Sequence, residues 1–473
     1  MIEDLKPYPE YKESGLSWLG EVPAHWSLIP NRGLIRRRKV LVGERHCEYL
    51  LLSLTKQGVI VRDLSTSKGK FSSDMGTSQE VRIGDLVFCL FDVPETPRTV
   101  GLSTHAGMIT GAYTVFEPLD RCCATYFELF YRAMDERKLL SPLYSGLRNT
   151  IPAERFLAVK TPQPPPEEQA AIARFLAWAT NRLDRAIGSK RRIIALLQDQ
   201  KQAIIHHAVT RGLDPSVPLK DSGIPWLGEI PEHWEVRRTK QLCLAIIDCK
   251  NRTPELVEDG EFSVVRTTNI RNGEFNPRGS YSTDRRNFEI WTQRGAPKLG
   301  DVFFTREAPV GEACLVPDRI DLCMGQRMMY FRPDPDVLDA GFMLNSIYGP
   351  VVRKYIEIQV NGSTVGHLRL GQVSALPLLW CPVTEQKAIV AHIDKLSAPM
   401  ATAISRLEQE ITLLREYRTR LVADVVTGKL DVREVAAGLP EEIEPSIRPD
   451  AAGYDGDEAE DDPDSDLIDT EEN

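Results

Sequence analysis

Ser14-Gly15-Leu16-Ser17-Trp18-Leu19-Gly20-Glu21-Val22-Pro23-Ala24-His25-Trp26 returns 208 residues later as Ser222-Gly223-Ile224-Pro225-Trp226-Leu227-Gly228-Glu229-Ile230-Pro231-Glu232-His233-Trp234. A match of this length marks a tandem duplication. A second match closes each copy: Glu168-Gln169 recurs as Glu385-Gln386, Leu196-Leu197 as Leu413-Leu414, and Val209-Thr210 with Asp214 as Val426-Thr427 with Asp431, all at an offset of 217. Between these matches only islands agree, such as Gly84-Asp85 with Gly300-Asp301 and Phe116-Glu117-Pro118 with Phe331-Arg332-Pro333. Each half is a fixed frame around a divergent middle.

The closing segments read as long helices. Positions seven apart give Leu176, Leu183, Lys190, Leu197 and Ile204 beside Ile172, Ala179, Ala186, Ile193 and Gln200. The second copy gives Ile393, Met400, Leu407, Leu414 and Leu421 beside Ile389, Leu396, Ala403, Glu410 and Tyr417. These are heptad seams. A helix of roughly 42 residues is about 63 Å long, too long to bury its stripe on one compact domain. Duplication relates the two stripes by a pseudo-two-fold, so the helices are expected to pair antiparallel as a spacer. Pro164-Pro165-Pro166 before Glu167-Glu168, and Pro382 with Thr384 before Glu385, mark the helix starts. Pro399 is expected to kink or interrupt the second helix. Lys190 and Glu410 are polar seam residues that either set register or sit at solvated ends.

The fold class that follows is α+β, with mixed α/β middles. Short β-rich runs (Tyr49–Leu54, Val87–Leu90, Tyr113–Phe116, Ser263–Arg266, Val302–Thr305, Met328–Phe331) alternate with helical stretches at Thr125–Lys138 and Gly341–Glu357. The expected divisions are a first domain at 1–166, a helix at 167–211, a second domain at 212–383, a helix at 384–430, and a tail at 431–473.

The chain has 473 residues, 42% hydrophobic, enough for two or three cores. Nine scattered cysteines with no C-x-x-C pair argue for reduced, mostly buried thiols and against a disulfide framework. No stretch approaches 18 apolar residues and the first thirty residues are acidic and Trp-bearing, so a cytoplasmic protein is expected. The net charge of −10 is concentrated: residues 435–473 hold fifteen acids and one base, leaving a mildly basic +4 on residues 1–434. So acidic a tail is expected to be disordered, either solvating the protein or masking a basic groove.

Catalytic signals are weak. No G-x-G occurs, and neither Gly69-Lys70 nor Gly428-Lys429 is followed by Ser or Thr, which excludes a nucleotide cradle. The histidines lack metal spacing, and no metal or cofactor is expected on this chain. Asp248-Cys249-Lys250 at the end of an apolar run has the acid-x-Lys spacing of Mg²⁺-dependent nucleases but no clear partner acid. A self-sufficient Mg²⁺-dependent site-specific DNA endonuclease, and a coiled-coil scaffold that ignores DNA, are the alternative readings.

The opening motif, the glycine-containing loops Ser145-Gly146-Leu147-Arg148-Asn149 and Asn361-Gly362-Ser363-Thr364, the proline-rich step and the Glu-Gln helix starts together resemble the specificity subunit of type I restriction-modification systems. Asp248–Pro254 and Gly325-Gln326-Arg327-Met328-Met329 look like segments of that family. The resemblance covers nearly all of residues 11–431 and implies a non-catalytic subunit of a phage-defence complex. Each middle would be a target-recognition domain for half of a split, asymmetric site on double-stranded DNA. Two methyltransferase subunits would dock on the spacer and motor-nuclease subunits would join. S-adenosylmethionine, ATP and Mg²⁺ would be held by those partners. The expected DNA contacts are Arg36, Arg37, Arg38, Lys39, Arg148 and Asn149 in the first domain, and Lys250, Arg252, Arg271, Arg285, Arg286, Gln326, Arg327, Asn361 and Ser363 in the second. Partner contact is expected along Leu176, Leu183, Leu197, Ile204, Ile393, Met400, Leu407, Leu414 and Leu421.

Overall fold

The computed structural model describes residues 5–440 apart from 63–74, 95, 97, 121–122, 147, 251, 320 and 361–365. The acidic tail beyond Pro440 and the loop residues Asn361 and Ser363 therefore lie outside the described residues. The chain forms two compact units, residues 1–190 with 409–473, and 191–408. A serial division places each long helix by itself. Instead each helix is divided between the units, because its two ends bury apolar side chains in different cores.

Both units use one plan. A short hairpin carries the opening motif, Tyr11–Glu13 with Glu21–Pro23 in the first and Leu219–Asp221 with Glu229–Pro231 in the second. The strand after the motif pairs antiparallel with the strand before the long helix, Ser27–Pro30 with Lys160–Gln163, and Glu235–Arg238 with Pro377–Trp380. This closes each repeat at its neck. Beyond the neck lies a four-stranded antiparallel sheet. In spatial order its strands are 35–37, 114–118, 86–88 and 100–102 in the first unit, and 243–248, 328–333, 302–305 and 313–315 in the second.

Strand alternation divides each sheet into two buried faces. Leu86, Phe88 and Phe116 join Trp26, Tyr126 and Phe156 in the frame core, whereas Val87 and Val115 join Leu52, Val59 and Ile109 in a separate small core. In the second unit Val302, Phe304, Met329 and Phe331 face the frame with Trp234 and Phe342; Phe303, Met328 and Tyr330 face a second core with Val265, Leu322 and Met324. The divergent parts are the sub-sheets on that second face: 52–55 with 58–61 and 79–81 with 107–109 in the first unit, and the three strands 281–283, 262–265 and 322–324 in the second. The helical stretch expected over Gly341–Glu357 is two helices, Ala340–Ile347 and Pro350–Val360, because Gly349-Pro350 breaks it.

The duplicated motifs are each other's partners. Glu168 accepts hydrogen bonds from Trp26 Nε1 at 2.8 Å, His25 Nε2 at 2.8 Å and Tyr8 Oη at 2.5 Å. Glu385 accepts from Trp234 Nε1 at 3.1 Å and His233 Nε2 at 2.8 Å. Both carboxylates lie in the first turn of a long helix, where the helix dipole favours an anion. The adjacent Gln169 and Gln386 are buried and donate to carbonyls five residues earlier, Pro164 at 2.8 Å and Cys381 at 2.7 Å. Gly428 and Gly212 pass beneath the two tryptophans with positive φ, +77° and +73°. A Cβ on Gly428 would stand 2.3 Å from Pro23 and 3.0 Å from Trp26. The chain after the second helix returns to its own beginning, where the Asp431 amide donates to the Lys6 carbonyl at 2.8 Å.

The long helices span Pro166–Arg211 and Val383–Val426. Of the two outcomes expected at Pro399, a kink or an interruption, the interruption does not occur; Pro399 lies inside one continuous element. Within the first unit the helices run antiparallel: Arg418 meets Asp184 at 2.6 Å, and Glu410 meets Lys190. The two polar seam residues are thus a cross-helix pair. Leu176, Leu183 and Leu421 are buried in the first unit and Ile393 in the second, while Leu197, Ile204, Met400, Leu407 and Leu414 are half-buried. Ile193, Leu396 and Tyr417, expected in the companion rows, are exposed, whereas Ile187 and Ile411, outside those rows, are buried near the middles of the helices.

Removing the latch carboxylates tests this plan. Glu168→Ala strands three donors around a buried site and is expected to cost about 3 kcal/mol of unfolding free energy. Glu385→Ala, with two donors and a more exposed carboxylate, is expected to cost about half as much, read by denaturant unfolding.

Candidate nucleic-acid interface

In both units the turn after the second-from-edge strand of the four-stranded sheet carries a left-handed residue, Asp92 at φ 46° and Ala308 at φ 43°. The first unit's glycine-containing loop is hung on that turn. In the first unit the Ile151 amide donates to the Leu90 carbonyl at 2.7 Å and the Asp92 amide to the Arg148 carbonyl at 2.9 Å. In the second the Leu368 amide donates to the Arg306 carbonyl at 3.1 Å. Non-glycine residues pay a steric cost at such φ, and strained turns of this kind gather at recognition sites. The sequence islands located the sheets but held no pattern for these turns.

The first unit's candidates fall into two groups with no described hydrogen bond or ion pair between them. Arg148 and Asn149 are exposed at the tip of the glycine loop, which Gly146 (φ 72°) and Asn149 (φ 44°) bend sharply. Arg36, Arg37, Arg38 and Lys39 lie on or just after the edge strand 35–37. Arg37 and Lys39 are exposed, and Arg36 pairs with Glu117 at 2.7 Å on the surface. Arg38 departs from the expectation of a DNA contact. Its guanidinium is buried against Asp85, with Glu80 at 3.6 Å, so it serves the sheet.

In the second unit Arg327 (φ 65°) points its Nε to Glu307 at 3.6 Å, and His367 meets the same carboxylate at 3.0 Å. Arg306 beside them binds Asp248 at 2.8 Å. The aspartate of the nuclease-like triplet is therefore engaged in a partly buried ion pair with an arginine. Two and four residues on, Lys250 and Arg252 approach the Trp291 ring at 5.5 and 5.4 Å from its centroid. Arg285 and Arg286 are exposed on the helix Arg285–Trp291, Arg285 facing Glu261 at 3.3 Å. Arg271 is exposed on the hairpin 270–275, whose Asn272-Gly273 turn is pinned by the Tyr348 hydroxyl, 2.8 Å from the Gly273 amide. Gln326 is half-buried. Sequence reasoning missed Trp291, Glu307 and His367; Trp291 bonds Arg252 39 residues away, and Glu307 meets Arg327 and His367 from separate loops, beyond any local pattern.

Burial pushes the thiols of Cys243, Cys314 and Cys323 up to about 12, leaving them poor nucleophiles. Among the described residues no group of three or more His, Cys, Asp or Glu is placed to hold a metal ion, and no helix is long and apolar enough to cross a membrane.

The two readings of the 36–39 cluster separate by stability. Arg38→Ala leaves Asp85 buried and unpaired and is expected to cost about 3–5 kcal/mol in denaturant unfolding. Arg37→Ala is expected to change stability by less than about 0.5 kcal/mol.

Residues 231–413 match the family model described as the type I restriction modification DNA specificity domain. The putative type I restriction enzyme MjaX specificity subunit of Methanocaldococcus jannaschii is 23% identical over 298 residues, which is 60% of this chain and 63% of that protein. The EcoKI specificity subunit of Escherichia coli is 21% identical over 210 residues, 43% of this chain and 44% of that subunit. The match thus spans less than two thirds of these curated relatives' length. A chain from a solved type I R-M system covers 86% of this chain and 99% of its own length, with a TM-score of 0.56 at 15% identity, a likeness of fold. The matched domain lies in the second repeat, the same plan is built again in the first, and the chain is thus similar to specificity subunits of type I restriction-modification systems.

Proposed function

We propose that this protein reads a bipartite, asymmetric DNA site for a cytoplasmic type I restriction-modification complex. The observation that carries this reading is one frame repeated around two unlike distal sub-sheets. Equal frames give each reader the same mount; unlike sub-sheets give the half-sites different sequences. The paired long helices set the gap between half-sites, as dimer spacing does for other DNA readers. Two methyltransferase subunits dock on the helices and motor-nuclease subunits complete the complex, supplying S-adenosylmethionine, ATP and Mg²⁺ chemistry. This chain itself contributes position and sequence choice. Exposed arginines and lysines contact phosphates, and side chains of the turns and glycine loops reach base edges.

Mapping N6-methyladenine across the host genome with the gene intact and deleted tests the reading. Loss of one split, asymmetric motif on deletion is expected. An unchanged methylation pattern in cells where the methyltransferase partner is expressed would contradict it.

A further inference from the structure

The cations of the second unit differ in what holds them. Arg285, Arg306 and Arg327 each face a carboxylate. Lys250 and Arg252 face an aromatic ring instead. Trp291 ends the helix Arg285–Trp291, and its Nε1 donates to the Arg252 carbonyl at 3.0 Å, tying the helix to the loop after the strand Cys243–Asp248. Lys250 Nζ adds a bond to the neutral Gln293 Oε1 at 3.3 Å. Among the described residues neither cation has a carboxylate within ion-pair distance.

An indole face orders a cation without cancelling its charge. Two such charges beside one ring, on a backbone braced by the ring's own N–H, make a prepared anion site. Lysine contributes a point charge rather than a planar fork, which suits phosphate oxygens better than a base edge. The N–H of Trp291 is occupied by a carbonyl and is not free to read a base.

We propose that Trp291 is a positioning residue that holds Lys250 and Arg252 as a two-cation clamp on the phosphodiester backbone of DNA. The clamp rests on the reading of this chain as a DNA reader. It supplies affinity and register that do not depend on sequence, separate from the turns and loops that choose bases.

The test is binding of the full chain, assembled with its methyltransferase partner, to its own site between 50 and 200 mM salt. Each neutralised phosphate contributes about 0.9 to the slope of log affinity against log salt. The double variant Lys250→Ala/Arg252→Ala is expected to lower that slope by about 1.8, and Trp291→Ala, which leaves both charges but no longer places them, by a smaller amount, each while leaving the selected motif unchanged. Trp291→Phe keeps a ring for the cations and is expected to retain most of the slope. An unchanged slope in the double variant overturns the clamp. A change of preferred base at one position also overturns it, by making the cluster a base reader. If Trp291→Ala does not fold, the double variant, which leaves the ring in place, decides. Absence of salt-dependent binding by the unaltered assembly would overturn the DNA-reading function and the clamp together. Normal wild-type binding with unaffected variants overturns the clamp alone.

Discussion

Everything in this molecule hangs on a carboxylate in the first turn of a long helix that accepts the N–H of a tryptophan about 150 residues away in sequence. An anion at that place is favoured by the helix dipole, and enclosure by tryptophan and histidine donors strengthens it further. The bond joins the opening motif of each repeat to the start of its closing helix. Whatever lies between is thereby tethered at a closed neck, reinforced by the antiparallel pairing of the strands on either side. A neck closed mainly by side chains that repeat leaves most of the intervening chain free to differ, although Val337 and Asp339 of the second middle bond Gln386 and Tyr126 of the first bonds the Val426 carbonyl.

The central sheet completes the separation. Its two faces are both buried, one on the frame and one on the small distal core. Phe88 and Phe304 point into the frame, and their neighbours Val87 and Phe303 into the distal core. A change in the distal sub-sheet is therefore met by one set of alternating residues while the other set keeps the frame packed. A change in a distal sub-sheet therefore requires no change in the long helices.

The frame was legible because duplication wrote it twice. The opening motif, Glu168-Gln169 with Glu385-Gln386, and the helix starts all stand in the structure close to where the repeats place them. Their pairing with one another was not legible, since recurrence shows that residues matter and says nothing of what they touch. The distal sub-sheets were poorly legible: their strands are two to four residues long, too short for a periodicity to declare itself. The site residues divide in the same way. Arg37 and Arg38 are neighbours of the same type, yet only Arg38 meets Asp85, 47 residues away, and a run of basic residues cannot announce such a partner. On interruption, Pro399 misled for another reason. The rule that proline breaks a helix concerns the local hydrogen bond and steric fit, and here the long helix continues through it.

The proposed function requires that one frame carry two independent DNA readers. It is tested most directly by a chain in which residues 243–376 replace the corresponding middle of the first repeat, with methylated sites then mapped in cells supplying the methyltransferase partner. The account predicts a site whose two halves have become the same sequence in inverted orientation, with the gap unaltered. A folded, assembled protein that still marks the original asymmetric site would contradict it.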